Sequence, residues 1–187
     1  MKESKLYIIV RPIIKLFVKI FHRPKYIGLD NIPKEGRIIL AGTHTHNHDC
    51  ILLISSTKRP IHFLAKKELF KFPSGLIMKH MGLIPVDRSR KSPESLIEAK
   101  KYLDDDKVVL IFPEGTLEKE KGVMLPFKMG AVKLAYDTKT NIIPFAISGN
   151  YFGRDLTIKF GEPFKVKGND LDKELDRLKE TIEELRK

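Results

Sequence analysis

Short apolar runs alternate with amphipathic segments along the chain, and this alternation is the strongest constraint on the fold. Runs such as residues 37–41 (RIILA) and 107–112 (KVVLIF) have the length and composition of buried strands. In residues 92–106, Ser92 is a candidate N-cap and Pro93 takes the first position of a predicted helix. Strands that alternate with helices predict one α/β domain with a mixed, largely parallel sheet flanked by helices.

The remaining elements follow from the same periodicity. Further strands are predicted in a short run from Tyr26 and in IHFLA, LIPV, NIIPFAISG and LTIKFG. Helices are predicted from Asp49, in two pieces of residues 66–82 broken at Pro73 and Gly75, after Lys128, and in residues 170–187.

Residues 1–24 are predicted to form a basic amphipathic helix. Arg11, Lys15 and Lys19 recur every four residues and therefore share one side of a helix, while the rest is broad and apolar. Pro12 marks a helix start or a kink. Such a helix suits a membrane interface, which we favour, and the alternative is that it packs on the protein's own core. No run of eighteen apolar residues predicts a spanning helix, and no cleavage site predicts a signal peptide.

The charge of the chain predicts an anionic partner. Its 187 residues contain 35 Lys plus Arg against 24 Asp plus Glu, a formal net charge of +11. Anionic lipid, a phosphorylated substrate and an acidic carrier protein all fit this charge. Nucleic acid is not favoured, because the basic residues are scattered and no known binding motif is present. The single cysteine, Cys50, excludes an internal disulfide framework.

Residues 43–50 (THTHNHDC) allow two interpretations, a metal site or one His–Asp pair. The last two residues are transposed relative to the T-H-x-H-x-D-H run of metallo-β-lactamase-type zinc sites. No histidine follows His80, although a zinc site needs at least three protein ligands. His44 and Asp49 form a pair only if His44 lies in a turn and Asp49 opens the next helix. The carboxylate would then fix the imidazole tautomer, so that the other ring nitrogen accepts a proton.

Three later segments follow this pair in a definite order. They are FLAKKELF with GLIPVDR, then LIFPEGTLE, then IIPFAISG. Together with H-x4-D they resemble the four sequence blocks of the glycerolipid acyltransferase (PlsC-like) family, over about residues 28–163. The resemblance implies an acyltransferase domain in residues 25–187, preceded by the membrane-associating helix of residues 1–24.

The resemblance implies a chemistry for the pair. His44 would be the general base for the hydroxyl of 1-acyl-sn-glycerol 3-phosphate, and Asp49 would orient it. The oxygen would attack the thioester of acyl-ACP or acyl-CoA and form phosphatidic acid. This reaction needs neither a cofactor nor a metal. Cys50 is then a small buried residue rather than a nucleophile. Peripheral attachment at the cytoplasmic face of the membrane would bring the site to a lysophospholipid.

The resemblance also implies contacts with the acceptor. Arg88 would bind a phosphate, and the turn after Pro113 would hold the headgroup. Each contact has an alternative: Arg88 as a solvated cation, and Glu114 as the partner of a neighbouring lysine. The implied substrate-binding residues are Lys66, Gly82, Arg88, Glu114, Gly115 and Thr116.

Three positions depart from the family pattern. Thr43 and His46 replace asparagine and serine in the first block, and Leu117 replaces arginine in the third. The loss of that arginine leaves three alternatives open: another lysolipid, an alcohol acceptor, or a membrane-surface binding module without turnover.

Overall fold

Six helices and seven strands alternate along the residues that the computed structural model describes, 5–71, 74–87, 93–118 and 123–187. The strands are β1 (Lys25–Ile27), β2 (Ile38–Gly42), β3 (Ile61–Lys66), β4 (Ile84–Val86), β5 (Val108–Ile111), β6 (Ile142–Ser148) and β7 (Thr157–Phe160). The helices are α1 (Lys5–Phe21), α2 (Asp49–Ser56), α3 (Ser74–His80), α4 (Pro93–Asp104), α5 (Gly130–Thr138) and α6 (Leu171–Arg186).

The predicted elements are confirmed except in the segment before β4. The first of the two helical pieces predicted there is only a short 3₁₀ turn, Lys67–Phe70, and Lys66 belongs to β3. Gly75 was expected to break a helix, but α3 begins at Ser74 and runs through it. A side chain at Gly75 would place its Cβ 1.8 Å from the carbonyl oxygen of Phe70, so the glycine lets the helix start directly against the preceding turn. Helix α4 begins at Pro93 as predicted, while Ser92 and Pro73 lie outside the described residues.

The seven strands form one sheet in the order β1-β7-β6-β2-β5-β3-β4. Every neighbouring pair is parallel except β6 and β7, so the predicted mixed, largely parallel sheet is confirmed. Strand β2 lies at the centre, where Leu40 pairs with Leu110 on one side and with Ile143 on the other. The carboxyl ends of β2, β5 and β6 therefore meet at the same edge, where ligands bind in open α/β sheets.

Helices cover both faces of the sheet. Leu40 and Leu110 pack with α1 and α2 on one face, while Ile39 and Val109 pack with α4, α5 and α6 on the other. Strand β2 is buried over its whole length, as expected for a parallel strand with helices on both sides.

Helix α1 packs on the protein along one narrow stripe. Tyr7 and Val18 are buried, and Arg11 donates from Nε to the carbonyl oxygen of Thr57 at 2.6 Å. Pro12 lies inside the helix, so it is not the helix start that the sequence allowed. The large apolar residues outside this stripe are exposed: Ile8, Ile9, Ile13, Leu16, Phe17, Ile20 and Phe21. Core packing and an exposed apolar face thus occur on the same helix. None of the described helices is both long and apolar enough to span a membrane.

Candidate active site

The candidate site lies in the three loops that follow the central strands. The turn after β2 carries His44 and opens α2 with Asp49. The loop after β5 carries Glu114, and the loop after β6 carries Tyr151. Because these strands run parallel and in register, their loops converge on one another.

His44 and Asp49 form the predicted pair. The distance from His44 Nδ1 to Asp49 Oδ2 is 2.9 Å, and Asp49 is fully buried. The same Oδ2 accepts the backbone N–H groups of Thr45 at 2.8 Å and His46 at 3.0 Å. Asp49 also lies in the first turn of α2, where the helix dipole stabilises a negative charge. The turn is therefore folded around one buried carboxylate.

The partner of Nδ1 fixes the tautomer of His44. A carboxylate only accepts hydrogen bonds, so the neutral ring carries its proton on Nδ1 and keeps the lone pair on Nε2. The ring also stacks on Phe112, with centroids 3.9 Å apart and an interplanar angle of 12°. The side chain is 12% exposed. The imidazole is thus held by its edge and by its face.

Glu114 supports the backbone of the same turn. It is only 2% exposed, and its Oε1 accepts the N–H of His44 at 3.2 Å while its Oε2 accepts the N–H of Leu125 at 2.8 Å. Burial raises the pKa of Glu114, and the two backbone N–H groups oppose that shift. The N–H of Glu118 in turn donates to the carbonyl oxygen of His44 at 2.9 Å. The loop after β5 therefore binds both backbone polar groups of His44.

A cleft of about 530 Å³ opens beside the pair. Thr45, His46 and the segment 147–152 line it, together with Arg186 from α6. The guanidinium of Arg186 binds Glu118 with both nitrogens, at 2.7 and 2.9 Å. This cation reaches the loop in which Leu117 replaces arginine. Arg186 and Tyr151 were not among the predicted site residues, and no local pattern indicates either of them.

Comparison with known proteins supports the family that the four sequence blocks resemble. Residues 23–148 match the model of the family described as Acyltransferase. The chain belongs to the acyltransferase family.

Named relatives define the branch of the family. The 1-acyl-sn-glycerol-3-phosphate acyltransferase of Bacillus subtilis (strain 168) is 34% identical over 147 residues, which cover 74% of this chain and 72% of that protein. Its namesake in Borreliella burgdorferi is 31% identical over 139 residues, which cover 72% of this chain and 55% of that protein. The crystal structure of PlsC from Thermotoga maritima matches with a TM-score of 0.77 and 25% identity, over 95% of this chain and 78% of that one. The protein is an acyltransferase of the PlsC-like group.

In this acyltransferase, Gly115 lies against a lysine. Its φ is +71°, and a Cβ built on it would lie 2.7 Å from Lys128 Nζ. Glycine therefore provides both the left-handed backbone and the space that the ammonium group occupies. Lys128 is exposed, and so is Thr116 on the same loop. Contacts of Glu114, Gly115 and Thr116 with an acceptor remain predictions.

The second block is placed on β3 and β4. Gly82 has a φ of +72°, and a Cβ built on it would lie 2.4 Å from Nδ1 of His62. The same Nδ1 donates a hydrogen bond to the Gly82 carbonyl oxygen at 2.9 Å. The packing of His62 thus accounts for this glycine without a substrate. Lys66 is exposed at the carboxyl end of β3. Arg88 lies outside the described residues, so its phosphate contact stays a prediction.

The side chains of His46 and His48 belong to a chain of aromatic contacts and not to the His44–Asp49 pair. The N–H of His48 donates to His46 Nδ1 at 3.0 Å, and His48 Nδ1 lies 3.0 Å from Nε2 of the buried His22. Burial lowers the pKa of His48, and the two neighbouring histidines lower it further. Within the described part of the chain, no group of three His, Cys, Asp or Glu side chains is placed to hold a metal ion.

The support of the turn by Glu114 predicts a stability difference. Glu114→Ala leaves two backbone N–H groups without their acceptor, and each costs about 1–3 kcal/mol if it stays buried. Glu114→Gln keeps one carbonyl oxygen and should lose less. The matched control is Glu183→Ala, which removes an exposed pair with Lys179 and should stay within about 0.5 kcal/mol. The measurement is the free energy of unfolding in urea. Equal stability of Glu114→Ala and Glu183→Ala would contradict the support role.

Proposed function

We propose that this acyltransferase moves a fatty acyl group from a thioester to the hydroxyl of 1-acyl-sn-glycerol 3-phosphate, with His44 as general base. The observation that carries the proposal is the bond from His44 Nδ1 to the buried Asp49 carboxylate, which leaves the Nε2 lone pair as the proton acceptor. The names of the relatives give the acceptor its first support.

The proposed reaction is a direct transfer. Nε2 of His44 takes the proton of the acceptor hydroxyl while the oxygen attacks the thioester carbonyl. The new carbon–oxygen bond forms, the carbon–sulfur bond breaks, and the leaving thiolate takes the proton back from the imidazolium. The negative charge of Asp49 stabilises that imidazolium during the step. No covalent acyl-enzyme is required, so the half-buried Cys50 has no role as a nucleophile.

Cations around the site support a phosphorylated acceptor. Lys128 is solvent-exposed, and its ammonium group lies beside Gly115 in the loop that binds the His44 backbone. This ammonium group can bind a phosphate. Arg88 is the further cation proposed from the sequence. The donor is proposed to be acyl-ACP or acyl-CoA; both are anionic, and the net charge of +11 suits either one.

One observation favours a second class of acceptor. Arg186, the cation that reaches the cleft from α6, is already neutralised by two contacts with Glu118. The pair as a whole therefore offers no net positive charge to a phosphate. A lysolipid or an alcohol without a phosphate monoester is therefore the alternative acceptor. A membrane-surface module without turnover is the alternative that requires no acceptor at all.

We further propose that α1 attaches the enzyme peripherally to the cytoplasmic face of the membrane. Its outward face exposes Ile9 and Ile13 by 63% and 64%, and the exposed Lys15 and Lys19 lie beside them on the same helix. Apolar side chains with flanking lysines suit the boundary between acyl chains and anionic headgroups. In this division of roles, residues 1–24 attach the protein and residues 25–187 carry the acyltransferase chemistry.

The base assignment predicts the effect of one substitution. His44→Ala should lower turnover about 10²- to 10⁴-fold because the hydroxyl loses its proton acceptor. His80→Ala, which removes an exposed histidine on α3, should keep full turnover. The measurement is transfer of a labelled palmitoyl group to lysophosphatidic acid. Palmitoyl carrier protein and palmitoyl coenzyme A are compared as donors, and each assay is run with and without a chelator.

The outcomes of this assay separate the alternatives. Chelator-insensitive transfer that His44→Ala abolishes supports the proposal and identifies the donor. Near-normal transfer in His44→Ala would exclude the base. Wild-type protein that acylates only an acceptor without a phosphate would support the alternative substrate class, and no transfer to any acceptor would support the binding module.

The attachment proposal predicts a loss of membrane binding. The double variant Ile9→Asp/Ile13→Asp should bind vesicles of phosphatidylglycerol and phosphatidylcholine at least about tenfold more weakly, because two exposed isoleucines no longer enter the bilayer. The matched control is Ile97→Asp, which charges a similarly exposed isoleucine on α4, across the sheet. Co-sedimentation measures both. Unchanged binding of the double variant, or an equal loss in the control, would refute attachment through α1.

A further inference from the structure

Tyr151 lies three residues beyond the family match, yet its side chain binds the catalytic pair. Its hydroxyl donates to Oδ1 of Asp49, the carboxylate oxygen opposite the one that holds His44. Since the phenolic proton is used on Asp49, Thr45 Oγ1 donates to Tyr151 Oη at 2.5 Å. Tyr151 thus contacts both ends of the turn that carries His44.

The backbone of Tyr151 is fixed from the other side by α1. Nδ1 of the fully buried His22, one residue past the end of α1, donates to the Tyr151 carbonyl oxygen at 2.7 Å. A carbonyl oxygen only accepts hydrogen bonds, so the neutral His22 ring carries its proton on Nδ1. Its Nε2 then accepts a hydrogen bond from Nδ1–H of His48. A side chain anchored at both its backbone and its hydroxyl has little freedom to move.

We propose that Tyr151 is a positioning residue that locks the Asp49 carboxylate in the rotamer that orients His44. An aspartate carboxylate turns about its terminal torsion with only a broad preference. Three donors hold Oδ2, and the Tyr151 hydroxyl holds Oδ1, so any rotation of the carboxylate breaks bonds at both oxygens. Tyr151 acts through Asp49 and His44, and the proposal rests on the proposed role of His44 as general base.

The phenol stays a donor at any working pH. Burial raises the pKa of Tyr151 above the ordinary tyrosine value, and the adjacent Asp49 charge raises it further. The hydroxyl is directed at the carboxylate, while the ring borders the cleft with Phe152. Loss of the hydroxyl alone should therefore change the catalytic step more than the binding of substrates.

The test compares two conservative variants. Tyr151→Phe removes the hydroxyl from Asp49. Tyr26→Phe is the matched control, because Tyr26 is also a largely buried tyrosine with a hydrogen-bonded hydroxyl. That hydroxyl donates to the carbonyl oxygen of Leu52 in α2 at 2.8 Å. Two kinds of measurement are made: the kinetics of palmitoyl transfer, as kcat and KM, and the position of the downfield proton resonance of His44 Nδ1–H. The resonance is assigned by its absence in His44→Gln.

Tyr151→Phe should lower kcat about 10- to 100-fold with little change in KM. The His44 resonance should move upfield, because a carboxylate released by Tyr151 turns more freely and binds the His44 N–H less strongly. Tyr26→Phe should change neither the kinetics nor the resonance, even if both variants lower Tm to a similar extent. An unmoved resonance and a wild-type kcat in Tyr151→Phe would overturn the proposal. So would equal changes in Tyr26→Phe, which would indicate a general loss of packing.

The resonance also separates this proposal from the proposed function. It requires no substrate, so its shift in Tyr151→Phe tests the link to Asp49 even if the acceptor is a different lipid. Wild-type protein that fails to transfer any acyl group while the resonance shifts as expected would contradict the enzyme function and leave the positioning of His44 intact.

Discussion

The structure of the site depends on one buried negative charge. Within the described residues, Asp49 accepts from His44 Nδ1, from the N–H groups of Thr45 and His46, and from the hydroxyl of Tyr151. An unpaired carboxylate at full burial would cost several kcal/mol, and these donors offset that cost. The turn that binds the charge is also the turn that presents His44. Stability of the loop and orientation of the base therefore have the same physical origin.

The sheet brings the other partners to this charge. Strand β2 lies between β5 and β6, and all three run in the same direction. The loop after β5 places Glu114 and Phe112 against His44, and the loop after β6 places Tyr151 against Asp49. Helix α1 reaches the same loops through His22, while its other face is exposed. The proposed membrane helix and the proposed base are thus linked by a short series of hydrogen bonds.

The sequence predicted those features that depend on local patterns. Apolar runs between helical segments were enough for the strands, and the five-residue separation of His44 and Asp49 required the strand–turn–helix geometry that is observed. Tyr151 and Arg186 were missed because their partners lie 102 and 68 residues away along the chain, and only the tertiary fold joins them. The support role of Glu114 was missed for a similar reason: its acceptors face backbone N–H groups, which no side-chain motif reveals. For α1 the periodicity could not distinguish core packing from membrane contact, because the apolar part of the helix surface is broad enough to include both the buried stripe and the exposed isoleucines.

The tautomer of His44 tests the central claim most directly. In protein labelled with ¹⁵N-histidine, a long-range ¹H–¹⁵N spectrum at about pH 8, above the ordinary histidine pKa of about 6.5, shows which ring nitrogen carries the proton. The account predicts a proton on Nδ1 of His44 and a bare Nε2, held by the Asp49 carboxylate. A proton on Nε2 would mean that the nitrogen assigned to accept the hydroxyl proton is already occupied, and it would contradict the account.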